Sequence, residues 1–490
     1  MKRTPIIFFL SAFLATGCNK FLDKEPDNRA KLNSPQKVAQ LLGSAYPKAN
    51  YQAMGELSSD NAGDIGTNAL DVPDWITLDA DLFFYRDNKG SGTNEDTPEG
   101  YWFGCYKAIA ATNLALEAIS QASNPDDYKA YKGEALVARA YSHFMLVNFF
   151  SKFYNETTSS SDPGIPYITE PETISIKQYE RKTVQYVYDM VEKDLLEGLP
   201  LLDDNAYSVP KFHFNKAAAN AFAARFYLYK KDYPKVIQYA QAAVSENTFA
   251  SNLRPWNTTY STLPINGNGS LQQVYSKSTE TANLLLTETN SWWFIISVQG
   301  RYGATTSIVN NVTGDEPIAG GSWAFSSAFI TSGHPFVPKI DLYFVETSLG
   351  SGIGDGWQMV PLFTVEEVLF NLAEAYTYSG LTDNAINLLN VYLSKRISQY
   401  TASDNITATK IKAHYNVSDI KQGLIYTLLD YRKIEFIHEG MRWFDILRYG
   451  IEVTHQSLDG TTVVLTKDNP HRVFQIPPTA EQSGIQLNPR

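Results

Sequence analysis

"ARFYLYKKDYPKVIQYAQAAV" (Ala224–Val244) and "AEAYTYSGLTDNAINLLNVYL" (Ala373–Leu393) align without a gap. Ala224 matches Ala373, Tyr227 matches Tyr376, Lys231 matches Gly380, and Val236-Ile237 match Ala385-Ile386. Each stretch reads as a helix, a short turn and a second helix, with small residues permitting close approach and large ones filling the groove between. This is the logic of a tetratricopeptide unit, although the two copies stand apart rather than in a regular array. Two unrelated amphipathic hairpins would give the same fold class. The chain is mainly α.

Working outward, further helices follow from apolar spacing. "YWFGCYKAIAATNLALEAI" (Tyr101–Ile119) is one. A second, Tyr128–Phe153, carries Tyr131, Val137, Tyr141, Phe144 and Phe149 on a broad apolar face. The Pro/Gly-rich loop "DPGIPYITEP" follows it, and then Val184, Val187, Tyr188, Val191, Leu195 and Leu199 form a stripe at three- and four-residue steps. Helices therefore concentrate in residues 99–246 and 362–450 of a single domain spanning 34–490. Residues 55–98 and 247–361 are rich in Gly, Asp, Asn, Ser and Thr and read as irregular. Six of the eight Trp (Trp75, Trp256, Trp292, Trp293, Trp323, Trp357) fall there. Tryptophans on loops over a rigid helical frame suggest a binding surface, whereas packing between loop and frame is the plainer alternative for each. Trp102 and Trp443 lie within helical stripes and read as core.

Composition narrows the function. The net charge of −11 and the lack of a basic stripe argue against nucleic acid. No Walker loop, Rossmann fingerprint, G-x-S-x-G elbow or Cys/His cluster occurs, so no cofactor or metal is expected. "HEGMR" (His438–Arg442) falls short of a zinc-protease motif because Arg442 stands where the second His is needed. As a continuous helix, "DYRKIEFIHEGMRWFDILRYG" instead places Arg432, Glu435, Glu439, Arg442, Asp445 and Arg448 in an ion-pair ladder, with Arg442 pairing Glu439 or Asp445. A glycosidase would need two facing carboxylates, and nothing singles out such a pair.

"LATGCNKFLDKEP" (Leu14–Pro26) supplies the address. Lys2 and Arg3, the apolar run Ile6–Ala15 and the small Ala15-Thr16-Gly17 make a signal peptide over 1–17, too short to span a membrane. Cleavage before Cys18 resembles a bacterial lipobox, with Ala15 where Leu is more usual. An ordinary signal with an incidental Cys is the alternative. Residues 18–33 would be a lipidated N-terminus and tether. Cys105 then has no partner and reads as a buried thiol.

Five segments in order resemble the SusD/RagB family of surface nutrient-binding lipoproteins of Bacteroidetes. They are "GCNKFLDKEP"; "YKGEALVARAYSHFMLVNFFSKFY" with "DPGIPYITEP"; "VEEVLFNLAEAYTYSGLTDNAINLLN"; "YRKIEFIHEGMRWFDILRYG"; and "VFQIPPTAEQSGIQLNP". The resemblance implies a SusD-like fold: four tetratricopeptide-like helix pairs supporting an irregular, ligand-binding half. It also implies a lipid-anchored, cell-surface protein of the outer membrane, without enzymatic activity, that caps a SusC-type TonB-dependent barrel. Its ligand would be an oligosaccharide, or a peptide. A tetratricopeptide scaffold for protein segments and a surface glycosidase are the alternatives from other classes. An uncharged oligosaccharide needs flat aromatics and a few polar groups. Composition and location nominate Trp75, Tyr85, Arg86, Trp292, Trp293, Arg301 and Trp323.

Acylation requires the Cys18 thiol, so Cys18→Ala should leave the chain unprocessed or soluble. Incorporation of labelled palmitate equal to that of the unaltered chain would refute the anchor.

Overall fold

One helix, Lys129–Phe150, is buried on every side from Gly133 onward, and the other elements are arranged about it. The computed structural model describes residues 32–490 apart from 68, 88–95, 173, 175–176, 314–316, 326 and 330–333. The expected signal peptide, Cys18 and nearly all of the tether lie outside the described residues.

The central helix packs against Pro98–Ser120 on one side and Val184–Gly198 on the other. Each neighbour begins at a threonine whose hydroxyl caps a free N–H of the first turn: Thr97 accepts from Gly100 N and Thr183 from Tyr186 N. Two polar side chains of the central helix tie it to its surroundings. Arg139 forms a two-pronged ion pair with Asp194 (2.7 and 2.8 Å), and Ile168 N donates to His143 Nε2 at 2.9 Å. Tyr167 stacks on His143 with centroids 3.7 Å apart, so the "DPGIPYITEP" loop is fastened to the helix that precedes it. Burial pushes the His143 pKa down to about 3, which keeps the imidazole neutral and able to accept that N–H.

Both stretches of the internal repeat are helical hairpins, Lys216–Tyr229 with Tyr233–Ala243 and Val365–Tyr378 with Thr382–Leu393. The helix Val365–Tyr378 packs against Tyr233–Ala243 of the other hairpin. The aligned turn residues share a conformation: Gly380 has φ 77° and Lys231 has φ 61°. Glycine occupies this region freely, whereas a side chain there costs about 1 kcal/mol or more. The mainly α reading holds.

The long segment 247–361 contains more regular structure than its composition announces. Strands Asn283–Asn290, Gly354–Thr364 and Leu342–Glu346 form an antiparallel sheet in that spatial order. The middle strand runs directly into the helix Val365–Tyr378, with Thr364 as cap. At this junction Glu367 binds Arg225, which also donates to Leu362 O. The preceding Glu366 binds both Arg254 (2.6 Å) and Arg396 (3.1 Å), and Arg396 binds Glu435 (2.7 Å).

The run Asp430–Gly450 is not the continuous helix that its charge spacing suggests. The helix Ile420–Glu435 ends, His438 and Gly440 take φ of 71° and 73°, and a new helix spans Arg442–Tyr449. The break redirects the charges. Arg432 and Arg448 still meet Asp445, but Glu435 reaches Arg396 and Glu439 reaches Lys339. Arg442 pairs with Asp60 at 2.8 Å, not with Glu439 or Asp445. The charges are structural, but they join separate parts of the chain rather than one helix face.

Removing one member of a buried ion network leaves its partners charged and unsolvated, at about 3–5 kcal/mol. Arg396→Ala, which strips both Glu366 and Glu435, should therefore lower stability by about that amount in denaturant unfolding. A change below about 1 kcal/mol would show that the network is dispensable.

Candidate functional site: an aromatic strip

The helix Pro73–Phe83 starts with proline, whose fixed φ suits the first turn, and Asp74 complements the positive helix end. Leu78, Asp79, Leu82 and Phe83 face inward. Trp75 sits one turn earlier, half-buried, with its ring 5.4 Å from that of Trp292 at an interplanar angle of 40°. Trp292 in turn lies 6.2 Å from Phe344, whose side is half exposed. Three rings thus follow one another along the surface.

The middle ring is held from several directions. Trp292 N donates to Asp96 Oδ2 and Ser291 Oγ to Asp96 Oδ1, both at 2.7 Å, while Ser291 N donates to Gly356 O. The Trp292 ring lies flat against strand Gly354–Thr364 at Gly356, where a Cβ would stand 2.7 Å from Cδ2 of the indole. Phe344 is the ladder partner of Gly356 on the neighbouring strand, which puts both positions on one sheet face. Trp357 therefore points to the other face, where it lies beneath the Lys48 ammonium at 5.7 Å.

Of the seven residues nominated from sequence, the structure brings Trp75 and Trp292 together in the strip and places the other five outside it. Trp293 is 1% exposed, and its Nε1 donates to His438 O at 2.9 Å, so it is core and unavailable to a ligand. Its helix, Trp293–Gln299, is regular structure inside a segment read as irregular. Tyr85 is also buried. It ends a stack of four rings, Tyr302, Phe83, His455 and Tyr85, at centroid spacings of 4.2, 4.2 and 5.1 Å, and its hydroxyl donates to Ser58 O. Arg86 is exposed over Phe84 and, with Tyr85, lines a separate cavity of about 250 Å³.

Arg301 is committed to Asp64 through two hydrogen bonds of 2.9 and 2.8 Å. Asp64 also accepts from Ser457 Oγ, Leu458 N and Gly66 N, and these donors together hold its carboxyl well below the usual range. Trp323 is 6% exposed, packed edge-on to Tyr431, and lines another cavity of about 310 Å³. Among the described residues, no three His, Cys, Asp or Glu side chains gather as a metal site, and no helix is long and apolar enough to cross a membrane.

Sequence reading missed Phe344. The signal was present: "LYFVE" and "GDGWQM" flank the turn-rich "TSLGSGI", the pattern of a hairpin with alternating faces.

A family profile described as starch-binding and associating with the outer membrane matches residues 20–228, and the SusD family profile matches residues 343–485. The chain belongs to the SusD family. A SusD-like protein of Formosa agariphila is 22% identical over 91% of each chain. A SusD superfamily structure from Bacteroides thetaiotaomicron superposes with a TM-score of 0.66 at 18% identity, covering 93% of this chain and all of that one. A SusD-like carbohydrate-binding protein of Bacteroides vulgatus gives 0.64 at 17% identity, covering 92% and 96%. A laminarin-binding SusD-like protein gives 0.57 at 16% identity, covering 93% and 99%. The fold is that of the SusD superfamily.

Beneath the strip, the Asp79 carboxyl accepts from Tyr302 N at 3.2 and 3.3 Å, yet burial pushes its pKa up to about 8. Its folded pKa lies above the unfolded value near 3.9, so the folded state holds the proton that the unfolded state releases. Stability should fall as pH rises from about 4 to 8, by an amount on the order of a few kcal/mol. Asp79→Asn should flatten that part of the stability profile. An unchanged profile would show that Asp79 ionises normally.

Proposed function

We propose that this chain is a cell-surface binding protein that captures oligosaccharides on the Trp75–Trp292–Phe344 strip. It then delivers them to a TonB-dependent outer-membrane barrel of the SusC type. The observation that carries the reading is the strip itself. Two tryptophans and a phenylalanine from three separate elements follow one another at the surface, the middle residue's backbone held by Asp96 and its ring seated on Gly356. Flat aromatic faces suit the C–H faces of sugar rings. A core position would enclose the rings, yet Phe344 is half exposed and Ile76 beside Trp75 is 38% exposed.

The family's starch-binding description and the carbohydrate-binding and laminarin-binding relatives support a glycan ligand. Acylation at Cys18 would hold the chain on the membrane, since each buried acyl CH₂ contributes about 0.8 kcal/mol. On this reading the chain binds its ligand without turnover.

Each stacked aromatic should contribute on the order of 1 kcal/mol, or about fivefold to tenfold in affinity. Titration calorimetry with laminarihexaose and maltohexaose should show one of them binding, little affected by salt, with no product released. Trp75→Ala, Trp292→Ala and Phe344→Ala should each weaken that binding about tenfold while the chain stays folded. Three folded variants that bind like the unaltered chain would place the ligand elsewhere.

A further inference from the structure

A cavity of about 650 Å³ opens where the end of the central helix, the Lys231 turn, the helix Arg442–Tyr449 and segment 467–489 meet. None of the aromatic strip lines it. In a chain of net charge −11 its wall carries six cationic side chains and a single acid, Asp468.

Two of the arginines are held without a directly bonded carboxylate. Arg181 donates to Gly164 O (2.7 Å), Gln486 O (2.9 Å) and Asn488 Oδ1 (2.8 Å). Arg472 donates to Thr466 O (2.7 Å), Ile446 O (3.1 Å) and Leu465 O (3.2 Å). Carbonyl dipoles satisfy the N–H groups, and none of these bonds goes to a carboxylate; Glu452 and Asp468 act on Arg472 only through longer-range attraction. Arg448, by contrast, is neutralised by Glu374 and Asp445, and Lys152 is paired with Asp162.

The free donors are Lys231 and Lys467, neither with an acidic partner among the described residues. The Lys467 stem lies across the backbone at Gly450. Lys231 occupies the left-handed turn position where the matching hairpin has Gly380, so a strained lysine stands where glycine would be relaxed. Its side chain lines the cavity. Phe153, Tyr154 and Tyr449 supply ring surface on the same wall.

We propose that this cavity is a second binding site, for an acidic oligosaccharide bearing carboxylate or sulfate groups. Lys231 and Lys467 contact the anionic groups, Arg181 and Arg472 add long-range attraction, and the aromatic rings meet the sugar faces. The volume is that of a small-molecule site, and no unpaired strand edge lines it for an extended peptide.

The test uses the full-length chain in detergent, with trigalacturonate as the anionic probe and maltotriose as the neutral one of equal length. Trigalacturonate should bind, more weakly as salt rises, and maltotriose should not compete with it. Lys231→Gly should melt no lower than the unaltered chain and yet bind about fivefold more weakly, as should Lys467→Gln. Trp292→Ala should leave this binding unchanged, which separates the site from the aromatic strip. Failure of trigalacturonate to bind, or indifference to both lysine changes, overturns the proposal. Equal competition by hexa-aspartate also overturns it, assigning the cavity to an acidic peptide.

Discussion

Two adjacent glutamates, Glu366 and Glu367, open the helix Val365–Tyr378, and each holds a buried arginine from a different part of the chain. Neighbouring residues on a helix point about 100° apart, so one dipeptide can reach in two directions. Glu367 takes Arg225 from the first hairpin, while Glu366 takes Arg254 and Arg396. Arg254 continues to Asn283 at the start of the sheet, and Arg396 continues to Glu435 at the end of the helix Ile420–Glu435. Charges withdrawn from water are tolerable only when every partner is present, so the network is cooperative. It fixes the strand Gly354–Thr364 to the helices and so sets where the surface strip can form.

That strip depends on exclusion as much as on attraction. Trp292 can lie flat because residue 356 has no side chain, and Asp96 fixes the backbone that carries it through the Trp292 N–H and the adjacent Ser291 hydroxyl. Trp293, one residue on, points the opposite way into the core. The arginine that composition would assign to a ligand, Arg301, is spent on Asp64, and the tyrosine, Tyr85, on a buried ring stack. Their contribution is to hold strand Gly63–Asp64, strand Tyr302–Gly303 and the hairpin near Ser457 as a platform below the helix bearing Trp75.

The helices were legible because burial of one face imposes a 3.6-residue period that local sequence must carry. The hairpins at 216–243 and 365–393 are where the repeat places them, and even the Lys231–Gly380 match corresponds to a shared left-handed turn. The charge ladder was legible as structural but not in its pairings. Helical spacing names neighbours only while the helix continues, and His438 and Gly440 end it. Which of six tryptophans in the segments without helical stripes would be exposed was not legible either. Trp75 and Trp292 share composition and context with Trp256 and Trp293, which are fully enclosed.

Sequence alone determined the helical class, the repeat and the family, since each rests on residues close in the chain or on segments in order. Tertiary structure decided which aromatic rings meet, which arginines are consumed, and where cations collect. Those outcomes depend on contacts between residues hundreds of positions apart, such as Trp75 with Trp292 and Arg442 with Asp60. Their energies come from desolvation and packing in a particular three-dimensional setting, which no local pattern encodes.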